Sequence, residues 1–216
     1  MDGTGIPRPD VSSEGAPRRG RPRSKQAEQA ILLAAAELLV ERGLGAMSIE
    51  EVAARAGVGK ATIYRRWSTR GTLALDAFVA DYLKRQPLPD TGSLRGDLTA
   101  ALRTWVRLVT RTPVGRTLRG LLAEAQRDPG LAAAWSQQVI GPVRAEHRIM
   151  VRRAVARYEI PRHTDADVVM DLLYGSAYHR LLQGHLPLTD RFVLQVVEMV
   201  MRAVTEARTG DNETRR

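Results

Sequence analysis

The chain has 216 residues, of which 44% are hydrophobic and 26% are charged, a composition typical of a folded globular protein. Its net charge of +9 favours an anionic partner such as a nucleic acid. Cysteine is absent, which excludes disulfides and thiolate metal sites, and no apolar run approaches the roughly 18 residues of a membrane helix. The N-terminus lacks the apolar core of a signal peptide, so we expect a cytoplasmic protein.

The first 23 residues are rich in Gly, Pro, Ser and Arg, and we expect residues 1–23 to be a disordered basic arm. Pro17 to Lys25 holds five cations and no acid. An arm of this kind ahead of a helix can lie along phosphates or enter the minor groove, and the alternative is a solubilising tail. Arg23, at the end of the arm, is a candidate DNA contact.

A helix is predicted from about Ser24 to Arg42, followed by two short helices with a glycine turn. Ser48 stands at an N-cap position, and Glu51 three residues later completes a capping box. Gly57 can adopt a positive φ and suits the turn, after which a second helix begins near Gly59. The pattern predicts a helix-turn-helix whose second helix enters a DNA major groove.

Charge separates this pair from an ordinary amphipathic helix pair. Between Arg55 and Arg70 there are five cations and no acid, whereas a solvated helix face usually mixes both signs. The cations are Arg55, Lys60, Arg65, Arg66 and Arg70. Their concentration around the second helix favours DNA binding.

Residues 24–73 resemble the DNA-binding domain of the tetracycline-repressor (TetR) family of bacterial regulators. The matching stretches include Gly43 to Ile49, Glu51-Val52-Ala53, Ala56-Gly57-Val58, Lys60, Thr62-Ile63-Tyr64, Trp67, Ser68, Arg70 and Leu73. Two positions depart from the family: Gly59 replaces the usual Ser or Thr, and Arg70 replaces the usual Lys. The resemblance implies a sequence-specific transcriptional regulator, a repressor released from a palindromic operator by a small molecule. The alternatives are a constitutive DNA-binding regulator and an activator without an effector.

The resemblance also implies an all-α fold and suggests which residues meet DNA. Residues 24–70 would form a three-helix DNA-binding domain, residues 71–208 a helical bundle for ligand binding and dimerisation, and residues 209–216 a disordered tail. The candidate DNA contacts are Arg23, Ser48, Gly59, Lys60, Thr62, Tyr64, Arg65 and Arg70. Arg65 and Arg66 cannot both face the groove, so Arg66 is the alternative to Arg65. Ser48 is expected to cap its helix and to offer its backbone N–H to a phosphate.

The remainder of the chain reads as helical throughout, without strand-like alternation. The predicted helices span about 69–85, 93–111, 113–127, 131–158 with a kink or break at Gly141-Pro142, 165–183 and 191–208. The last two are apolar around most of their circumference, which indicates burial on several sides. A homodimeric four-helix bundle explains this, the alternative being a thick monomeric core. The interface residues are predicted to be Val169, Leu172, Leu173, Val193, Val196, Val197 and Val200.

A small-molecule site is implied by the family between the predicted helices 69–85 and 165–183. Candidate lining residues are Phe78, Trp105, Leu108, Leu122, Trp135, Met150, Tyr174 and Tyr178. Each of these also suits an ordinary core position, and Trp105 and Tyr178 are preferred because each joins apolar bulk to a polar tip.

An enzyme is the competing class. The histidines are His147, His163, His179 and His185, and none forms an i, i+4 metal pair or adjoins a nucleophile motif. Glu146-His147 and Asp165-x-Asp167 are interpreted as surface or capping residues. Without a glycine-rich phosphate loop or a metal-ligand pattern, we expect no catalytic site, no cofactor and no metal.

Overall fold

The computed structural model describes the backbone of residues 21–83 and 88–213 and the side chains of residues 24–81 and 88–205. The predicted arm up to residue 20 and the last three residues of the predicted tail lie outside this range. Over the described backbone the chain forms helices joined by loops and turns, and no strand. This agrees with the all-α prediction. None of the described helices is both long and apolar enough to cross a membrane.

The helices follow one another along the chain with short connections. They are α1 (Arg21–Arg42), a 3₁₀ turn (Leu44–Ala46), α2 (Ile49–Ala56), α3 (Lys60–Tyr64), α4 (Arg70–Phe78) with a π-helical end (Val79–Leu83), α5 (Leu94–Arg111), α6 (Val114–Ala125), α7 (Pro129–Trp135), a π-helical segment (Ser136–Ile140), α8 (Gly141–Ala156), α9 (Ala166–Gln183) and α10 (Asp190–Glu213). Side-chain N-caps set several starts, because an oxygen there satisfies N–H groups that lack a helical partner. Thr69 caps α4, Ser93 caps α5, Asp128 caps α7 and Asp165 caps α9.

Three helix boundaries differ from the sequence prediction. α1 begins at Arg21, inside the predicted arm, and α10 continues to Glu213, inside the predicted tail. At Gly141-Pro142, where a kink or break is expected, the helix widens into a π-helical turn. Gly141 N–H donates to the Ser136 carbonyl five residues back, and Pro142 has no N–H to donate. α7 and α8 therefore run on through one widened turn.

The interior consists of two hydrophobic clusters. The first joins α1 to α4 with α6 and α7, through fully buried residues such as Ile63, Leu73, Leu121 and Leu131. It extends across the domain boundary predicted at residue 70. The second cluster is formed by α5, α8, α9 and α10. Helices beyond the predicted DNA-binding domain thus share its core.

Most of the residues predicted at the dimer interface lie in this second cluster. Val169, Leu173, Val193, Val196, Val197 and Val200 are each at most 8% exposed in the single chain. A side chain already buried cannot lose further area to a partner, so these six are core residues, and Leu172, 48% exposed, alone of the seven faces outward. The sequence showed that these helices are apolar on many sides but not which side meets α5 and α8.

Candidate functional site

The turn between α2 and α3 has the geometry expected of a helix-turn-helix. Gly57 is left-handed, with φ of 65°, and its N–H donates to the carbonyls at the end of α2. Ile63 on α3 is fully buried, and Trp67 behind it is 3% exposed. Trp67 Nε1 donates to Asp76 Oδ2 at 2.8 Å. The inner side of α3 is thereby fixed against the first core, which leaves its opposite side free.

The outward side of α3 carries most of the predicted DNA contacts. Lys60 and Arg65 are exposed, and Tyr64 is 53% exposed, a large value for an aromatic residue. Thr62 is half-buried beside them. Gly59 is the N-cap and provides no side-chain bond to the helix. The structure thus brings five of the predicted residues together on one surface.

Acids from neighbouring helices pair with the cations around α3, which the local sequence did not reveal. Lys60 Nζ lies 3.0 Å from Glu50 Oε1 on α2, and Arg66 forms an ion pair with Glu28 on α1. Arg55 pairs with Glu41 at 2.6 Å. Among the described side chains, Arg65 has no ion-pair partner. Binding a phosphate therefore requires Lys60 to exchange one anion for another, while Arg65 needs no such exchange.

Two predicted contacts are placed differently from expectation, and a third lies outside the described side chains. Arg70 turns inward: its Nη1 donates to the carbonyls of Gly45 at 3.3 Å and Met47 at 3.4 Å, and its Nη2 lies 3.8 Å from Glu124 Oε1 on α6. Ser48 N–H already donates to the Glu51 carboxylate at 3.3 Å. Arg70 is thus an internal tie between α4, α6 and the segment before α2. The backbone N–H of Ser48 is not free for a phosphate, and the side chain of Arg23 lies outside the described range.

A cavity of about 580 Å³ is lined by residues of the six helices α4 to α9. Six of the eight predicted residues line it: Phe78, Trp105, Leu108, Trp135, Tyr174 and Tyr178. Leu122 packs against the first cluster and Met150 is fully buried in the second, so neither reaches the cavity. A volume of this size accommodates a drug-sized molecule.

A buried histidine in the cavity wall was missed by the sequence analysis. His147 is 6% exposed, not a surface residue. Its Nδ1 lies 2.6 Å from the Val143 carbonyl, and its Nε2 lies 3.0 Å from the Tyr174 hydroxyl. The helical spacing of Val143, His147, Met150 and Ala154 was the available signal, because it places His147 on the buried face of α8. Burial lowers the pKa of His147 below its ordinary value, although the Val143 bond and the charge of Glu146 oppose this.

Helix α4 connects the cavity to the helix-turn-helix. Phe78 near its C-terminus lines the cavity, 6.0 Å from the Trp135 ring, whereas Arg70 at its N-terminus holds the segment before α2. Close packing limits independent movement, since a Cβ on Gly71 would lie only 2.9 Å from Leu131 of α7. If the cavity wall moves at Phe78, the rigid helix α4 can transmit that movement to α2 and α3.

Six exposed apolar side chains, called here the exposed apolar stripe, lie on α9, on α10 and in the loop between them. Its members are each 48–71% exposed in the single chain: Val168, Leu172, Leu182, Leu186, Leu194 and Met199. The α9 positions recur at helical spacing, so they share one face. Exposed apolar patches such as this face of α9 mark interaction surfaces.

Comparison with known proteins assigns both the helix-turn-helix region and the helical bundle to one protein family. Residues 31–77 match the tetR family of bacterial regulatory proteins, and residues 88–200 match the tetracyclin repressor-like C-terminal domain. YdeS, an uncharacterized HTH-type transcriptional regulator of Bacillus subtilis, is 32% identical over 187 residues, covering 87% of this chain and 94% of YdeS. The DNA-binding transcriptional repressor TetR of Mycobacteroides abscessus is 32% identical over 186 residues, covering 85% of this chain and 94% of the repressor.

A solved structure agrees over nearly the same length. The crystal structure of the TetR family transcription regulator SCO0332 superposes with a TM-score of 0.73 at 37% sequence identity, covering 83% of this chain and 98% of that protein. The agreement spans both the helix-turn-helix and the bundle that holds the cavity. This chain therefore belongs to the TetR family of DNA-binding transcriptional regulators.

Proposed function

We propose that this regulator is a repressor that a small-molecule effector releases from its operator. The observation that carries the proposal is α4, which bears Phe78 in the cavity wall at one end and Arg70 at the other. A repressor among the relatives, that of Mycobacteroides abscessus, supports the sign of regulation. Because a DNA-binding regulator of this family must reach DNA inside the cell, we further propose that the protein acts in the cytoplasm.

The DNA contacts are proposed for the outward side of α3. Tyr64 and Arg65 are exposed there, and Arg65 has no ion-pair partner among the described side chains. Lys60 pairs only with the exposed carboxylate of Glu50 among those side chains. Exposed ion pairs are weak, so a phosphate can displace Glu50 from Lys60. Phosphate contacts would set affinity and register, and the edges of bases would set the sequence.

A homodimer is proposed through the exposed apolar stripe on α9 and α10. Packing this stripe against its copy removes from water the large apolar groups that the single chain leaves exposed. Two copies would present two α3 helices to a palindromic operator, with half-sites one DNA turn, ~34 Å, apart. Dimerisation therefore makes the spacing of the two helices part of the recognition.

Release by an effector follows from that spacing. A ligand that fits the cavity better when Phe78 moves outward favours the conformer in which α4 has shifted. Arg70 ties α4 to Gly45 and Met47, so the shift would carry the helix-turn-helix with it. Such a ligand weakens DNA binding by the amount by which it prefers the shifted conformer.

The test is release from the DNA upstream of the protein's own gene, with random DNA as the control. Compounds that release the wild-type protein are then tried on Ala101→Phe, which fills the cavity from α5. The variant should still bind DNA but should no longer respond. Release of the variant at the same concentration would show that the effector acts elsewhere, and a protein that no compound releases would be a constitutive regulator.

A further inference from the structure

The hydrogen atom between His147 and Tyr174 can be assigned from geometry. A carbonyl oxygen only accepts hydrogen bonds, so the 2.6 Å contact to Val143 places a hydrogen on His147 Nδ1. The ring is buried, which favours its neutral form, and Nε2 then carries no hydrogen. The Tyr174 hydroxyl, 3.0 Å away, must donate its hydrogen to Nε2.

Tyr174 can therefore only accept a hydrogen bond from a ligand. Its one hydrogen is committed to His147, its oxygen keeps lone-pair capacity, and the residue lines the cavity. The ring is held edge-on between His147, 5.3 Å away, and Trp105, 6.0 Å away, which fixes the hydroxyl in position. Burial raises the pKa of Tyr174, so the group stays a neutral phenol.

Tyr178 has the opposite capacity. Its ring lies 5.0 Å from that of Trp105, burial raises its pKa so that it stays a neutral phenol, and no group in the described part of the chain accepts its hydroxyl hydrogen. The hydroxyl of Tyr178 is therefore free to donate its hydrogen to a ligand. The cavity thus presents an acceptor at Tyr174 and a donor at Tyr178.

The charges of the lining disfavour an anion. Arg144 is the one cation among the described lining residues, and it is neutralised by Asp167, at 3.0 Å, and by Asp171. Glu146 adds a negative charge that has no cation paired with it in the described part of the chain. A ligand carboxylate or phosphate would enter without a free counterion, at a desolvation cost.

We propose that the effector is a neutral planar aromatic compound with a hydroxyl group that donates to Tyr174. The aromatic walls formed by Phe78, Trp105 and Trp135 would bind its rings. This inference rests on the proposed function, since it specifies the ligand class of the same cavity. Tyr174 determines the specificity, and His147 determines the direction in which the hydroxyl of Tyr174 points.

The test uses matched fluorescent probes at pH 7 and without DNA: 1-hydroxypyrene, 1-methoxypyrene and 1-pyrenecarboxylate. The hydroxyl and methoxy probes share a ring and an oxygen acceptor, but only the first can donate. One net hydrogen bond should make 1-hydroxypyrene bind about three- to tenfold more tightly than 1-methoxypyrene. 1-Pyrenecarboxylate should bind least well.

Two variants separate recognition from structural damage. Tyr174→Phe should reduce the hydroxy-to-methoxy preference to about one, because the acceptor is lost, whereas general damage to the cavity would weaken both probes alike. Tyr178→Phe should weaken both probes and keep the preference, since both offer it an oxygen. A preference that survives in Tyr174→Phe, equal binding of the two probes by the wild type, or no binding of either would overturn the inference.

These experiments distinguish a failure of the proposed function from a failure of this inference. If 1-hydroxypyrene binds with the expected preference and the protein stays on its operator, the ligand class stands and release by a ligand in this cavity does not. If other compounds bind in the cavity and release the protein from its operator while the pyrene probes show no preference, the proposed release stands and the proposed hydroxyl recognition does not.

Discussion

The ion pair between Lys60 and Glu50 makes a quantitative prediction about DNA binding. Both side chains are exposed, and their charged atoms lie 3.0 Å apart. The pair holds the pKa of Glu50 below and that of Lys60 above its ordinary value, as expected when each stabilises the charge of the other. In the complex Lys60 must leave Glu50 for a phosphate, so Glu50 competes with DNA.

Removing each partner should therefore have opposite effects. Glu50→Gln should raise operator affinity by about 1.5- to 5-fold per protomer, the range for an exposed pair. Lys60→Gln should lower affinity and reduce the slope of log K against log salt by roughly 0.9 per protomer, or about 1.8 for a dimer. In the double variant the benefit of Glu50→Gln should largely disappear, since no lysine remains to be freed.

The assay is fluorescence anisotropy on operator DNA and random DNA across a salt series. Arg152→Gln is the matched control, because it removes one positive charge from an exposed position on α8, in the second half of the chain. It should leave the slope almost unchanged. A Lys60→Gln slope equal to that of this control, together with no gain from Glu50→Gln, would refute the placement of Lys60 against phosphate.

Three further outcomes are expected. Arg70→Gln should weaken operator binding without changing the salt slope, because Arg70 holds Gly45 and Met47; a slope lowered by about 0.9 per protomer would make it a phosphate contact after all. Leu172→Asp should reduce the mass in solution to that of one chain, as measured by light scattering, whereas Leu33→Asp, at an exposed apolar site on α1, should not; an undivided dimer would exclude the stripe. His147 has a lowered pKa, so the unfolded chain takes up its proton first and stability should fall with pH below the ordinary value of 6.5; His147→Gln should flatten that fall in urea unfolding at pH 7.5 and 5.5, and an identical pH dependence would contradict its burial as a neutral ring.

The helix-turn-helix was largely predictable because its determinants are local. The capping box of Ser48 and Glu51 and the left-handed Gly57 lie within ten residues of one another, and both form as predicted. The direction of Arg70 was not predictable, since its partners Gly45 and Met47 lie 23 to 25 residues earlier in the chain. Such contacts depend on how α1 to α4 pack, and they produce no periodic pattern in the sequence.

The cavity and the dimer face show the same division between local pattern and packing. Bulky aromatic residues such as Trp105 and Tyr178 could be chosen from sequence because they occur at few positions in the bundle. The prediction that Met150 lines the cavity was wrong, because an apolar side chain on α8 suits the second core as well as the cavity wall. For α10, Val196 and Met199 look alike in sequence, yet one is 8% exposed and the other 71%.

The most direct test of the central claim is the operator affinity of the wild-type protein with and without saturating 1-hydroxypyrene. Coupling between the cavity and α3 predicts an affinity lower by about 5- to 150-fold with the probe bound, and the same loss of probe affinity when operator is bound. Ala101→Phe should show neither loss. An operator affinity that is unchanged at full occupancy of the cavity would contradict the coupling through α4.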